Sequence, residues 1–311
     1  MSHRISKLLS FATIATLLLT GCVGGNGASN TSTTTVPAIA PGRAVWFWES
    51  QAQMAIVASS TAQDTAIANF KTWNVTSVYG SYSSQMESDP ASVRAWNAKL
   101  AANGIRSYFL VSSASFFLPD QWTTAQAWLE KYVVNFNTAS TATQKFTGVA
   151  FDVEPQSFTG NTTWPSWSAA TPAQRRVYAT YLVNMLASSR ALLANNGAAA
   201  LPIESYLSHS YISLTSTILW VDADDRNAWF AQLAQVCDSI SVDQYGTNSV
   251  SSIVTGIEAN DALLSGKARV ALSTDSTDWG GSVSAFFAGA AAVEAQSGKY
   301  VDIEDYDTTA Q

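Results

Sequence analysis

The chain has 311 residues and a formal charge of −7, with 16 Lys and Arg against 23 Asp and Glu and only 13% of residues charged. That balance, with no basic cluster beyond Arg175-Arg176, excludes a nucleic-acid partner. Low charge combined with many Ser, Thr, Asn and Trp residues fits a secreted, carbohydrate-facing protein, and the length suffices for one large core.

Arg4 and Lys7 precede an uncharged run from Leu8 to Leu19, and Leu19-Thr20-Gly21-Cys22 follows. A basic start, a short apolar run and small residues before a cleavage point describe a secretory signal over residues 1–21; about a dozen apolar residues are too few to span a bilayer. Leu19-Thr20-Gly21-Cys22 resembles the lipobox of bacterial lipoproteins. The resemblance implies cleavage before Cys22, acylation of Cys22 and a membrane anchor, and Val23 after the cysteine implies the outer membrane. Several acyl chains on one residue anchor stably where one would not. Residues 22–42 then form a Gly, Ser, Thr and Asn tether whose reach is roughly 25 Å. The folded domain is expected over 43–311, as a monomer.

His3 leaves with the signal, so His209 is the single histidine of the mature chain. Neither a structural zinc site nor an HExxH helix can be assembled, and no metal or cofactor is expected. A Ser/His/Asp triad would have to use His209, and no G-x-S-x-G elbow accompanies it. With Cys22 acylated, Cys237 has no disulfide partner and is expected to be a small buried side chain.

Along the domain, eight β-rich runs recur: Ala44 to Trp48, Val75 to Gly80, Ile105 to Val111, Thr147 to Glu154, Leu201 to Leu207, Ser239 to Tyr245, Arg269 to Asp275 and Tyr300 to Tyr306. Helical patterns separate them. Asp89-Pro90 starts one and Gly104 ends it; Thr171-Pro172-Ala173-Gln174 is a capping box; a third, from Ser282 to Gln296, is closed by Gly298. Eight strand–helix units in about 270 residues predict a single-domain (β/α)8 TIM barrel, with the last helix short or missing. A doubly wound sheet lacks its G-x-G-x-x-G turn here.

Chemistry in such barrels sits at the carboxyl ends of the strands. Alternation predicts that Ala150, Asp152 and Glu154 of strand four point inward, as do Glu204 and Tyr206 of strand five, Asp243 and Tyr245 of strand six, Asp275 of strand seven, and Asp302, Glu304 and Tyr306 of strand eight. Asp152 and Glu154 share a face with Cα atoms about 6.5 to 7 Å apart. Two such carboxylates resist ionising together, and Glu154, at the open strand end, is expected to hold the proton and lend it to a leaving group. Trp46, Trp48, Trp164, Trp167 and Trp279 add indole faces on which sugar rings stack.

The segment Phe146 to Glu154 resembles the strand-four signature of family 18 glycoside hydrolases, with Asp152 and Glu154 at its last two acids and Thr147 and Ala150 in place of the earlier ones. Val242-Asp243-Gln244-Tyr245-Gly246 is similar to that family's strand-six Met-x-Tyr-Asp. Gly246 stands where an Asp would hold a substrate acetamido group, so the resemblance does not carry over substrate-assisted cleavage. A likeness that spans the barrel is to barrel hydrolases reading W-x-W on strand one, G-(I/V)-x-x-D-(I/V)-E-P on strand four and x-D-Y on strand eight, matched by Trp46-Phe47-Trp48, Gly148 to Pro155 and Asp305-Tyr306. Family 25 lysozymes also use Asp-x-Glu at strand four, which leaves a muramidase-like peptidoglycan hydrolase as an alternative.

These features lead to an expected lipid-anchored glycoside hydrolase acting on an extracellular or cell-envelope polysaccharide. Glu154 is the expected general acid/base, Asp275 the second carboxylate, with Asp152 or Glu304 as substitutes, and Asp152 the group that tunes Glu154. Asp243, Tyr245, Trp46, Trp48, Glu204, Glu304, Tyr306 and Trp279 are the expected sugar contacts. Carboxyls about 5 to 5.5 Å apart would retain anomeric configuration, and about 6.5 to 9.5 Å would invert it. A non-catalytic glycan-binding barrel of a surface polysaccharide system, and a structural lipoprotein, are the competing classes.

Overall fold

Alternation along a strand sends successive side chains to opposite sides, and in this protein it separates two packed layers. The computed structural model describes residues 41–214, 218, 220–274 and 278–306. Its strands are β1 (Arg43–Phe47), β2 (Val75–Gly80), β3 (Arg106–Ser112), β4 (Gly148–Asp152), β5 (Ile203–Leu207), β6 (Ser239–Asp243), β7 (Ala268–Ser273) and β8 (Val301–Glu304). All pair in parallel and in chain order, and β8 returns to β1 through Ala44 opposite Asp302 and Val45 opposite Ile303, which closes the barrel.

Between strands lie α1 (Gln51–Ala58) and α2 (Ser60–Thr72), then α3 (Ser83–Ser88) and α4 (Pro90–Ala102). After β3 come α5 (Trp122–Leu129), a π-helical stretch (Glu130–Asn135) and α6 (Phe136–Thr138); α7 (Pro172–Asn195), α8 (Ala223–Val236), α9 (Val250–Leu263) and α10 (Val283–Ser297) complete the ring. The helix ends obey their local chemistry. Asp89 caps α4 by accepting from the Ser92 amide, and Thr171 and Gln174 form the reciprocal capping box of α7. Gly298 ends α10 at a φ of 68°, a left-handed conformation that costs glycine least.

The outer layer packs Val45, Phe47, Phe109, Val149, Phe151, Val242, Leu272 and Ile303 against the helices. Each such side chain, fully buried, contributes about 1.5–3 kcal/mol. Cys237 is a buried free thiol in this layer. The inner layer holds Ala44, Trp46, Tyr79, Tyr108, Leu110, Ala150 and Tyr206. Aromatic rings fill the barrel so closely that a Cβ on Gly148 would lie 2.2 Å from the Tyr108 ring.

Toward the amino ends of the strands the interior turns ionic. Arg269 grips both oxygens of the fully buried Asp302 at 2.6 to 3.0 Å and also donates to the carbonyl of Gly42 at 2.9 Å. Ser241 donates to Asp302 and lies 2.9 Å from Glu204. This plug fills the amino-terminal end of the barrel interior, and the carboxyl ends of the strands form the opposite mouth. Residues 1–40, with the signal, Cys22 and most of the tether, lie outside the described residues, as do those from 307, where any last helix would fall. Among the described residues no helix is long and apolar enough to cross a membrane.

Candidate active site

β4 ends at Asp152, and the chain reaches Glu154 before a 3-10 turn, Pro155–Ser157. Asp152 sits partly buried, accepting a hydrogen bond at 3.0 Å from Ser112 Oγ on the end of β3 and sharing another with Glu154. Burial, then the Glu154 charge and that shared hydrogen bond, push the Asp152 carboxyl well above its ordinary range. The Asp152 carboxyl therefore resists ionising beside Glu154. Glu154 lies closer to solvent at the strand's open end and accepts from Ser157 Oγ.

Asp243 closes β6. Tyr206 OH, pointing inward from β5, donates to Oδ2 at 2.6 Å, while the backbone N–H and ring Nδ1 of His209 lie 2.7 and 2.5 Å from Oδ1. Burial alone would raise the Asp243 carboxyl, but these donors outweigh it and hold it below its usual value. The hydrogen bond to Asp243 raises the His209 imidazole against the opposing effect of burial. Asp243 was expected to hold sugar; its acceptors are instead taken up by the protein. His209 went unrecognised because the partner that orients it arrives from another strand, and only its place just past a strand end hinted at the mouth.

On β8, Glu304 accepts from Tyr245, which follows β6. Burial raises the Glu304 carboxyl, the Tyr245 hydrogen bond offsets part of that, and the charges of Glu154, Asp305 and Asp243 add to it. Burial and the nearby charges of Asp243, Glu154 and Asp152 likewise drive Tyr206 upward. β4, β5, β6 and β8 thus bring Asp152, Glu154, Tyr206, Asp243, Tyr245 and Glu304 into one electrostatically coupled group. The loop after β4 is braced by Tyr211, whose hydroxyl donates to Gln156 at 3.2 Å.

Other expected contacts lie elsewhere. Glu204 points inward as alternation required, but it is 1% exposed in the plug, bonded to Ser241, and no sugar reaches it. Its burial and the Asp302 charge raise its carboxyl well above the usual range, against the opposing pull of Arg269 and Ser241. Tyr306 lies in the outer layer against Phe47, Phe70 and Trp73, with its hydroxyl bonded to Asn69, because the alternation stops with β8 at Glu304. Trp279 docks on α10, edge-on to Phe286 and over Gly289. Trp164 packs on Tyr178 and Tyr181 of α7, and Trp167 stacks on Tyr211 at 5.9 Å. Trp46 is buried under Trp48, which stacks on it at 5.8 Å and remains partly exposed. Asp275 lies outside the described residues. Among the described residues no group of three or more His, Cys, Asp or Glu is placed to hold a metal ion.

No family model matches this chain, and no curated protein matches it. Solved structures do. A Bacteroides thetaiotaomicron protein assigned as an alpha-L-fucosidase superposes with a TM-score of 0.52 at 8% identity, covering 91% of this chain and 92% of that one. The exo-beta-1,4-mannosidase Op5Man5 from Opitutaceae bacterium strain TAV5 gives 0.51 at 13% identity, over 84% of this chain and 51% of that one. A GH18 chitinase from Pseudoalteromonas aurantia gives 0.44 at 13% identity, over 70% and 77%. The chain is a (β/α)8 barrel. At these identities the first two likenesses support the barrel fold alone, and the chemistry has to be argued from the mouth.

Proposed function

We propose that this protein is a glycoside hydrolase, anchored to the bacterial outer membrane through acylated Cys22, that cleaves an extracellular or cell-envelope polysaccharide. The observation that carries the reading is Asp152, its carboxyl raised by burial and by the Glu154 charge, hydrogen-bonded to Glu154 at the carboxyl end of β4. Glycoside hydrolysis needs a proton for the leaving oxygen at neutral pH and a carboxylate to manage the oxocarbenium-like centre. Asp152 stores the proton and passes it along the shared hydrogen bond to Glu154. Glu154 delivers it to the glycosidic oxygen as the C–O bond breaks, and the carboxylate left on Asp152 is held by Ser112. Water that then attacks the anomeric carbon returns a proton to the pair.

Glu304 supplies the second carboxylate. In a ring closed in chain order, β8 stands opposite β4, and its charge is coupled to that of Glu154. Trp48 and Tyr245 offer the aromatic faces for the sugar. Both are partly exposed, whereas the loop tryptophans are committed to packing. The test is release of reducing ends from bacterial exopolysaccharides, chitin oligomers and peptidoglycan by the wild-type protein. Binding without release by protein with intact Glu154 would replace the hydrolase with a glycan-binding barrel.

A further inference from the structure

Sugars present acceptors as well as donors, and the coupled group at the mouth is rich in acceptors. Asp152, Glu154, Asp243 and Glu304 all accept, while the hydroxyls of Tyr206 and Tyr245 are spent on Asp243 and Glu304. A glycan bound there brings ring, hydroxyl or carbonyl oxygens that lose water and need a donor in return. His209 is placed to be that donor. Two contacts to one carboxylate oxygen, from its backbone N–H and from Nδ1, fix the ring, and Tyr206 holds the other oxygen of the same carboxylate. An imidazole bound at Nδ1 presents Nε2 from its opposite edge. The His209 side chain is 54% exposed over an Asp243 side chain that is 11% exposed, so the free edge is the solvent-facing one.

We propose that His209 is the substrate-binding donor of this site, its Nε2–H bonding an acceptor oxygen of the glycan in the subsite beside Glu154. The inference rests on the glycosidase reading of the mouth and adds the group that selects substrate. The charged group that faces it is Asp243 from β6, and Tyr206 from β5 holds the other oxygen of that carboxylate. Asp243 makes the imidazole hold its proton to higher pH than a free imidazole does. Above that raised value the remaining proton stays on Nδ1 for Asp243, Nε2 becomes an acceptor, and the contact is lost.

Two substitutions separate this role from a structural one. His209→Asn places an amide nitrogen near Nδ1 and keeps the bond to Asp243 with nothing at Nε2; His209→Gln reaches toward the Nε2 position instead. Chitotetraose, cellotetraose and a muropeptide are titrated calorimetrically into Glu154→Gln protein with and without each change. For any saccharide that binds, His209→Asn should weaken binding roughly ten- to hundredfold at about pH 6, the loss of one charged hydrogen bond, and the difference should vanish at about pH 9. His209→Gln should recover part of the loss without the pH dependence. In the mature wild-type chain the C2-proton resonance of the single histidine should move on saccharide addition. Equal affinity of His209→Asn and its parent at every pH, with that resonance unmoved by a saccharide that binds, overturns the role of His209 and leaves the glycosidase reading standing. No binding of any probe, together with no reducing ends released by wild type, overturns the glycosidase reading and takes this inference with it.

Discussion

Replacing Asp152 by Asn asks where the mouth keeps its proton. The amide matches the carboxyl in shape and can still bond to Ser112 and Glu154, but it has no acidic proton to pass on. In the folded protein burial, followed by the Glu154 charge, raises the Asp152 carboxyl. Folded Asp152 therefore holds its proton more tightly than the unfolded chain, whose value is about 3.9. Its contribution to stability is complete below that value and is lost as pH climbs through the raised folded value, at up to about 1.4 kcal/mol per pH unit across the window. Asparagine is neutral throughout and escapes this loss. Asp152→Asn should thus gain stability over wild type with rising pH from about pH 4 upward, while turnover falls roughly 10²- to 10⁴-fold. Urea unfolding at a series of pH values, with initial rates on the same preparations, reads both. A variant whose advantage does not grow with pH, or one that turns over at the wild-type rate, would refute the storage of the proton on Asp152.

Glu204→Gln tests the plug. Because burial raises the Glu204 carboxyl, the amide should leave KM unchanged, stay within about 1 kcal/mol of wild type at low pH, and gain stability over wild type as pH climbs through the raised folded value. A raised KM at unchanged stability would return Glu204 to the substrate site. Gly148→Ala forces a methyl to within 2.2 Å of the Tyr108 ring inside the barrel, and should cost about 1–3 kcal/mol in urea unfolding; a neutral result would mean that the inner layer has slack.

The strand and helix rhythm was legible because each run carries its own period and each helix its own cap. Asp89, Thr171 and Gly298 sit at the helix ends they predicted. Inward parity was legible too: Asp152, Glu204, Tyr206, Asp243, Asp302 and Glu304 all belong to the barrel interior. Depth along the barrel axis was not. Alternation tells which side of a strand a residue occupies, but not whether it lies in the plug with Arg269, as Glu204 and Asp302 do, or at the mouth with Glu154. Nor does alternation extend past the last paired residue, which is why Tyr306 joined the outer layer. Trp164, Trp167 and Trp279 are loop residues by sequence, yet their rings find neighbours on α7, α10 and Tyr211, and such contacts appear only once the chain has folded. The Asp243–His209 pair was hidden for the same reason, with 34 residues separating its members.

The most direct measurement is turnover by Glu154→Gln protein on a polysaccharide that the wild type cleaves, with binding of the same glycan measured in parallel. The account predicts at least a hundredfold loss of turnover with affinity preserved, since the amide keeps the shape of the site and cannot deliver a proton. Wild-type turnover by that variant would remove Glu154 from the mechanism.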